Sequence, residues 1–498
     1  MEDLFFNLQR EVKIKRQINL LRYLSNYTEP VFLKNISEHL NCTMPTLLSD
    51  IDILNNILKK NIKIKIIEKQ KAITNISSSY ISVDSIITIL IKETLVYQIV
   101  ECCLYKKEYT IIKASYEFSA SRSTLLRTLK HMNQILKAFH IQISTENFTF
   151  IGKEEDIRVF LFHFFKCFSD REILSTESSL YAKHFSELME KLEGDRLHFC
   201  HFRLSLWTSI ARIRWQKKCY VTLSNQLEDE ILNQKNLNEF KIILNSFSFL
   251  DGVTNLPDNE MLWAYISCLH CIAYTDVLSY QGSQRKLVYC REEKPRVIFQ
   301  IEQLFLKIGF PKEIFLSRKL EMFKSYLVNL RLLRKISLNF EIVSENLKDL
   351  IWNMHGDLCE KWSDHLNCIP LHSDLSVMNL EDVVTSCAIF HLAIFEEKKK
   401  NLPVHVLFAF QGDPGFDHYL VQTSNLLVED HVQVDYFLEE QLDQQVIQQI
   451  KPDLVICNYD LNVKKEGDYE VVRLSNIPTL IDWGVARTAI ERLSQKYF

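Results

Sequence analysis

Residues 119–136, SASRSTLLRTLKHMNQIL, set small hydroxyls, two arginines and a lysine around an apolar stripe. Leu125, Leu129, Met132 and Leu136 recur at the spacing of one face of an amphipathic helix. Ser121 stands where an N-cap belongs. The polar side of that helix then carries Ser121, Arg122, Ser123, Thr124, Arg127 and Lys130. Upstream, TIIKASYEFSAS reads as a short helix ending near Phe118. Downstream, FHIQISTENFTFIG reads as a hairpin turning at Glu146-Asn147. A short helix, a turn, a second helix and a hairpin form a winged helix-turn-helix. In such a unit the second helix enters the major groove of DNA by its N-terminal end. Hydroxyls there donate to phosphates or base edges, and arginines contact guanine or phosphate. A lysine farther along reaches the backbone. The same residues also suit a solvated helix face behind a capping serine. What favours groove binding is that the pattern repeats and that the region is basic.

The repeat lies upstream. Residues 11–24 place Val12, Ile14, Ile18, Leu21 and Leu24 near one side of a helix. A short helix follows, with a break near Asn41-Cys42. A second helix then starts with Thr43 as N-cap and Pro45 in its first turn, where a missing N–H does no harm. Its apolar positions are Leu47, Ile51, Leu54 and Leu58, and IKIKIIEKQKAITNI alternates like a hairpin. The face matching the first stretch is Thr43, Thr46 and Ser49, with Asp50 and Asp52 beside it. It is therefore the weaker candidate for contacting bases.

Charge supports this division. The net charge of −4 hides a head, residues 1–140, with 20 Lys+Arg against 13 Asp+Glu. The remainder carries 39 against 50. A basic head gains affinity for a phosphate backbone through counterion release. The 498 residues exceed one core and point to three to five domains. With 47% hydrophobic and 24% charged residues the composition is that of a folded protein, and only 10 Gly and 10 Pro favour helix. No leader-like or membrane-spanning run is expected. The 13 cysteines, Cys102-Cys103 adjacent among them, read as reduced thiols of a cytoplasmic protein, with no metal or cofactor site.

From about 153 to 395 the chain reads as helices with a weak internal repeat. NEMLWAYISCLHCIA (259–273) overlays LEDVVTSCAIFHLAI (380–394) so that Glu260 meets Glu381 and His270 meets His391. A second overlay sets His201 opposite Lys324. The last hundred residues alternate strand and helix, as in a small parallel α/β sheet, with QGDPG at the C-terminal end of its first strand.

In this order the chain resembles a Mga/AtxA-type transcriptional regulator along nearly its full length. The most specific local match is HIQISTENFTFIGKEEDIRVFLFHFF, where a hairpin precedes Gly152, Glu154, Ile157 and Arg158 in a Gly-x-Glu-x-x-Ile-Arg pattern. The resemblance implies a mainly α multidomain chain. Two winged helix-turn-helix units would occupy 1–75 and 76–165, the second being the main DNA-binding unit. Two helical domains of the kind through which the sugar phosphotransferase system (PTS) regulates its target proteins would occupy 166–285 and 286–396. A IIB-like α/β domain would occupy 397–498.

It also implies double-stranded DNA and PTS phosphocarrier proteins as partners, no membrane, and a homodimer formed through the IIB-like domain. Phosphorylation would fall on His201, His270 or His391, adding charge that shifts packing. Lys324 stands where a further histidine is expected. Active IIB components carry a nucleophilic cysteine after the first strand, whereas this chain has Gln411 there. Cys457 ends a later strand and reads as packing, so phosphotransfer chemistry is expected to be lost. The expected function is a non-enzymatic regulator, an activator of virulence or metabolic genes tuned by phosphorylation and dimerisation. The alternative is a PTS-regulated RNA-binding antiterminator, but such proteins begin with a small β-rich domain.

Overall fold

A computed structural model of the chain describes residues 3–25, 31–57, 66–67, 72–73, 83–166, 200–224, 257–272, 274, 295–315, 317–367, 380–395, 401–413, 415–428, 431–438, 441–461 and 469–496. Leu58, most of the first hairpin and the expected boundaries at 75/76, 285/286 and 396/397 lie outside the described residues. The fold is mainly α with a four-stranded parallel sheet near the C-terminus. The chain divides into two compact units. One comprises residues 2–152 with 163–172, and the other residues 153–162 with 173–498.

The N-terminal unit begins with α1 (Asp3–Leu8), α2 (Val12–Ser25), β1 (Val31–Phe32), α3 (Leu33–His39) and α4 (Met44–Ile57). β2 (Ile66–Ile67) and β3 (Ala72–Ile73) pair antiparallel, and β3 also pairs with β1. Then come α5 (Val83–Lys92), α6 (Leu95–Leu104), α7 (Ile111–Glu117) and α8 (Arg122–Leu136), followed by the antiparallel strands β4 (Gln142–Ile143) and β5 (Phe150–Ile151). The two helix-turn-helix turns share one hydrogen-bond pattern, 78 positions apart. Leu40, Asn41 and Cys42 donate to the carbonyls of Ile36, Glu38 and Ser37, as Phe118, Ser119 and Ala120 do to Ala114, Tyr116 and Ser115. Each turn holds a non-glycine residue in the left-handed region, Asn41 at φ 46° and Ser119 at φ 48°. Short polar side chains tolerate that region; β-branched ones do not.

The α9 helix (Glu154–Lys166) runs through the division of the two units, its first turns counting with the C-terminal one. Just before it, Gly152 adopts φ 147°, and a Cβ there would lie 2.8 Å from Ile141 Cγ2. Glycine is required on both counts. The rest of the motif builds a buried charge network. Arg158, with no solvent exposure, donates from Nη1 and Nη2 to Glu260 Oε2 and Oε1 at 2.7 and 2.9 Å. It also donates from Nε to Glu154 at 3.0 Å and from Nη2 to the Cys219 carbonyl at 2.8 Å. Glu154 in turn binds Arg214 at 2.6 Å, and Glu260 accepts from the Trp215 indole and the Val221 amide. A buried ion pair is tolerable only when its remaining donors and lone pairs are satisfied, as here.

This network joins α9 to the first helical layer, α10 (His201–Gln216) and α11 (Asp258–His270). A second layer follows: α12 (Pro295–Ile308), α13 (Arg318–Ile336), α14 (Glu345–Asn367) and α15 (Leu380–Phe395). The α14 helix breaks at His355 (φ −137°), next to Gly356. Part of the geometry repeats between layers. The Val221 amide donates to Glu260 Oε1 at 2.7 Å, and the Val343 amide to Asp382 Oδ1 at 2.8 Å. The acidic counterpart of Glu260 is thus Asp382, one position beyond the Glu381 of the ungapped overlay. Asp382 also holds Lys348 at 3.0 Å. His391, on α15, packs against Phe310 at 4.6 Å and Trp362 at 6.2 Å between ring centroids. Burial first, and Lys361 second, press its pKa down to about 4.

The C-terminal sheet orders as β7-β6-β8-β9, all parallel, from β6 (Asn401–Phe410), β7 (His431–Leu438), β8 (Leu454–Cys457) and β9 (Glu470–Arg473). Its helices are α16 (Phe416–Leu427), α17 (Gln444–Ile450) and α18 (Leu480–Lys496). Leu407, Ala409, Phe437, Val446, Val455 and Cys457 share one of its cores.

Two outcomes test this packing. Replacing Arg158 by Met leaves Glu260 charged and buried, and should lower unfolding stability by about 3–5 kcal/mol in urea titrations. A histidine depressed in the folded state takes up its proton on unfolding, so its contribution is full above the unfolded value near 6.5 and is lost as pH falls toward 4. Stability measured between those values should therefore drop, and His391→Asn should flatten that drop.

Candidate nucleic-acid interface

Ser121 takes extended backbone angles (φ −63°, ψ 149°) and its Oγ accepts the Thr124 amide at 3.1 Å, so it does cap α8. The same oxygen lies 2.9 Å from Ser123 Oγ and 2.8 Å from Thr124 Oγ1. The three hydroxyls form one exposed cluster at the positive end of the helix. Leu125, Thr128, Leu129, Met132 and Leu136 are buried, which turns Arg122, Ser123, Arg127 and Lys130 to solvent. Arg127 Nε donates to the Ser123 carbonyl at 3.3 Å. Among the described residues neither Arg122 nor Lys130 forms an ion pair or side-chain hydrogen bond. Neither arginine is held in an ion pair among the described residues, and the Nη groups of Arg127 stay clear of its one backbone bond, which leaves charge for phosphate or guanine recognition.

Supporting groups hold this helix in place. Asn133 grips the hairpin, accepting from the Ile143 amide at 2.7 Å and donating to its carbonyl at 2.9 Å. His131 Nε2 lies 2.8 Å from the Asn7 carbonyl of α1. The hairpin tip itself, Thr145–Asn147, carries no cation. Exposed charge comes instead from Lys106, Lys107 and Lys113, with Lys113 Nζ 4.5 Å over the Tyr109 ring. Sequence reasoning passed over these lysines, although the run YKKEYTIIK signals them. A cleft of about 330 Å³ beside the helix start is lined by Glu11, Glu93, Gln98, Phe118, Ser121 and Thr124. Its two carboxylates do not suit phosphate.

In the first unit Thr43 Oγ1 and Thr46 Oγ1 lie 2.8 Å apart, and Ser49 is exposed. Asp50 is not a repulsive surface charge. It is buried, held by Arg16 Nε at 2.5 Å and Gln17 Nε2 at 3.2 Å, and pins α2 to α4. The carboxylate raises the Arg16 pKa. This face keeps three hydroxyl residues but no arginine.

The candidate histidines occupy different surroundings. His201, half-buried, opens α10. His270 is buried at the end of α11. Its Nδ1 accepts from Trp207 Nε1 at 3.0 Å, and Phe162 and Phe340 contact the ring. His391 sits in the aromatic clasp already described. The ammonium of Lys324 lies 2.7 Å from Glu302 and 3.2 Å from the Phe315 carbonyl. Cys268 and Cys271 stand at a C-x-x-C spacing that escaped the sequence reading. Burial pushes the Cys268 thiol far up, and Cys271 donates to the Ser267 carbonyl. No group of three metal-ligating side chains gathers among the described residues. No helix among them is long and apolar enough to cross a membrane.

Comparison with known proteins agrees with this geometry. Residues 11–70 match the M protein trans-acting positive regulator (MGA) HTH domain, and residues 79–165 match the Mga helix-turn-helix domain. A stretch of 186 residues is 25% identical to the capsule synthesis positive regulator AcpA of Bacillus anthracis. That match covers 37% of this chain and 38% of the relative. The chain thus carries two Mga-type helix-turn-helix domains in tandem, and it resembles a capsule regulator over little more than a third of either length, in keeping with a likeness to the Mga/AtxA-type transcriptional regulators.

Proposed function

We propose that the protein regulates transcription by binding double-stranded DNA through α8, with the first helix-turn-helix assisting. The observation that carries this reading is the exposed pair Arg122 and Arg127, neither of them in an ion pair among the described residues, beside the hydroxyl cluster at the start of α8. Ser121 is occupied as a cap, so Arg122 and Arg127 carry the contacts to guanine or phosphate, and Lys130 adds backbone charge. Thr43, Thr46 and Ser49 add polar contacts from the first unit without charge of their own.

On the same reading the protein is a cytoplasmic, non-enzymatic activator that takes no cofactor. It pairs as a homodimer through the C-terminal α/β module and responds to phosphocarrier proteins. Gln411 follows β6 where a phosphoryl-accepting cysteine would stand, and Cys457 is buried with its thiol pKa pushed up to about 12, which suits packing rather than nucleophilic chemistry. Among the histidines, His201 suits modification best. It is half-exposed at the N-terminal end of α10, where a phosphoryl group meets the positive helix end. His270 would first have to give up its bond from Trp207, and His391 its aromatic clasp.

The test is binding of purified protein to promoter fragments across a salt series. Arg122→Ala and Arg127→Ala should each weaken binding by about 1–3 kcal/mol, and a lost phosphate contact should cut the slope of log affinity against log salt by about 1. Thermal melts should stay unchanged, since neither side chain is buried. Unaltered affinity and slope in both variants at matched salt would remove α8 from the interface.

A further inference from the structure

The C-terminal ends of β6 and β8, the edge where an α/β sheet of this kind places its ligand, are closed from two sides. From within, Asn458 holds Gln411 twice: Oδ1 accepts the Gln411 amide at 2.9 Å and Nδ2 donates to its carbonyl at 2.7 Å. From outside, Arg203 of α10 donates from Nη2 to the carbonyl of Gly412. Arg203 is almost fully buried, and its Nη1 also donates to the carbonyl of His270 at 3.2 Å, at the end of α11. The second helical layer closes the other flank. A Cβ on Gly415, whose φ is 80°, would lie 3.1 Å from the Phe390 ring of α15. The loop between β6 and α16 thus lies against both helical layers.

We propose that the 411–415 loop is an intramolecular docking face rather than a ligand site, and that Arg203 latches it to the end of α11. One guanidinium bonds two carbonyls belonging to separate elements, so loop and helix end cannot shift independently while both bonds stand. The Trp207 indole, one turn along α10, holds the His270 ring at the same helix end. Any change that displaces His270 therefore acts on the carbonyl that Arg203 holds, and through Arg203 on the loop. This inference does not depend on DNA binding or on phosphorylation.

Amide hydrogen exchange of the full chain tests it. In the unaltered protein, the amides of Gln411, Gly412, Asp413, Gly415 and Phe416 should exchange far more slowly than those of an unstructured peptide; exchange at peptide rates there overturns the proposal. Arg203→Met keeps most of the apolar stem and removes both hydrogen bonds to the carbonyls. It should speed exchange at these amides by about tenfold, the equivalent of one charged hydrogen bond, while β8 stays protected. Should that variant fail to fold, Trp207→Phe removes the bond to His270, along with part of the indole's packing on Phe162, Trp263 and Phe340, and should speed exchange of the same loop by at least about threefold while β8 stays protected. Exchange within about twofold of the unaltered protein in every folded variant overturns the latch, since that ratio is smaller than one hydrogen bond produces. Promoter affinity measured on the same samples bears only on the reading of α8.

Discussion

The charge pair between Arg158 and Glu260 is the constraint around which the C-terminal unit is arranged. A guanidinium and a carboxylate without solvent contact stay charged only if every donor and lone pair nearby is used. Glu154, the Cys219 carbonyl, the Trp215 indole and the Val221 amide meet that demand. To do so, α9, α10, α11 and the segment after α10 must meet at one point. That explains why glutamate and arginine follow Gly152 at fixed spacing: Glu154 and Arg158 lie one helical turn apart and face the same junction. The glycine lets the chain leave the hairpin at a backbone angle other residues avoid.

A different balance governs the N-terminal unit. Its helices are held by apolar stripes, by capping hydroxyls and by two turns of matching hydrogen bonds, all of which are local. The polar surface of α8 is therefore left over from folding rather than consumed by it. Ser121 is the instructive exception, because one hydroxyl cannot both cap a helix and be fully available to a ligand. The division of labour follows: small hydroxyls organise the helix start, and the exposed arginines enter no ion pair among the described residues. Asp50 shows the converse in the first unit, where a residue on the expected contact helix is spent on holding α2.

In the C-terminal module the half-buried loop at the sheet edge is tied to neighbouring elements. Asn458 bonds Gln411, Arg203 bonds the Gly412 carbonyl and Phe390 packs beside Gly415. On the proposed latch, the loop and the end of α11 would shift together, because packed elements rearrange as units.

The sequence by itself determined the helices and strands and the basic character of the head. Apolar spacing, caps such as Ser121 and Thr43, and the alternation of β6, β7 and β8 with helices are local signals, readable without knowing what lies opposite. The candidate contact face was legible for the same reason: Arg122, Arg127 and Lys130 sit on the side that the buried leucines leave. Only the tertiary structure decided which carboxylate completes Arg158, that Asp382 rather than Glu381 takes the role of Glu260, that Asp50 is an internal buckle, and that Arg203 reaches Gly412. Those pairings join residues as far as 209 positions apart. Periodicity says which side of a helix is buried; it carries no information about which distant polar group will be brought within hydrogen-bond reach.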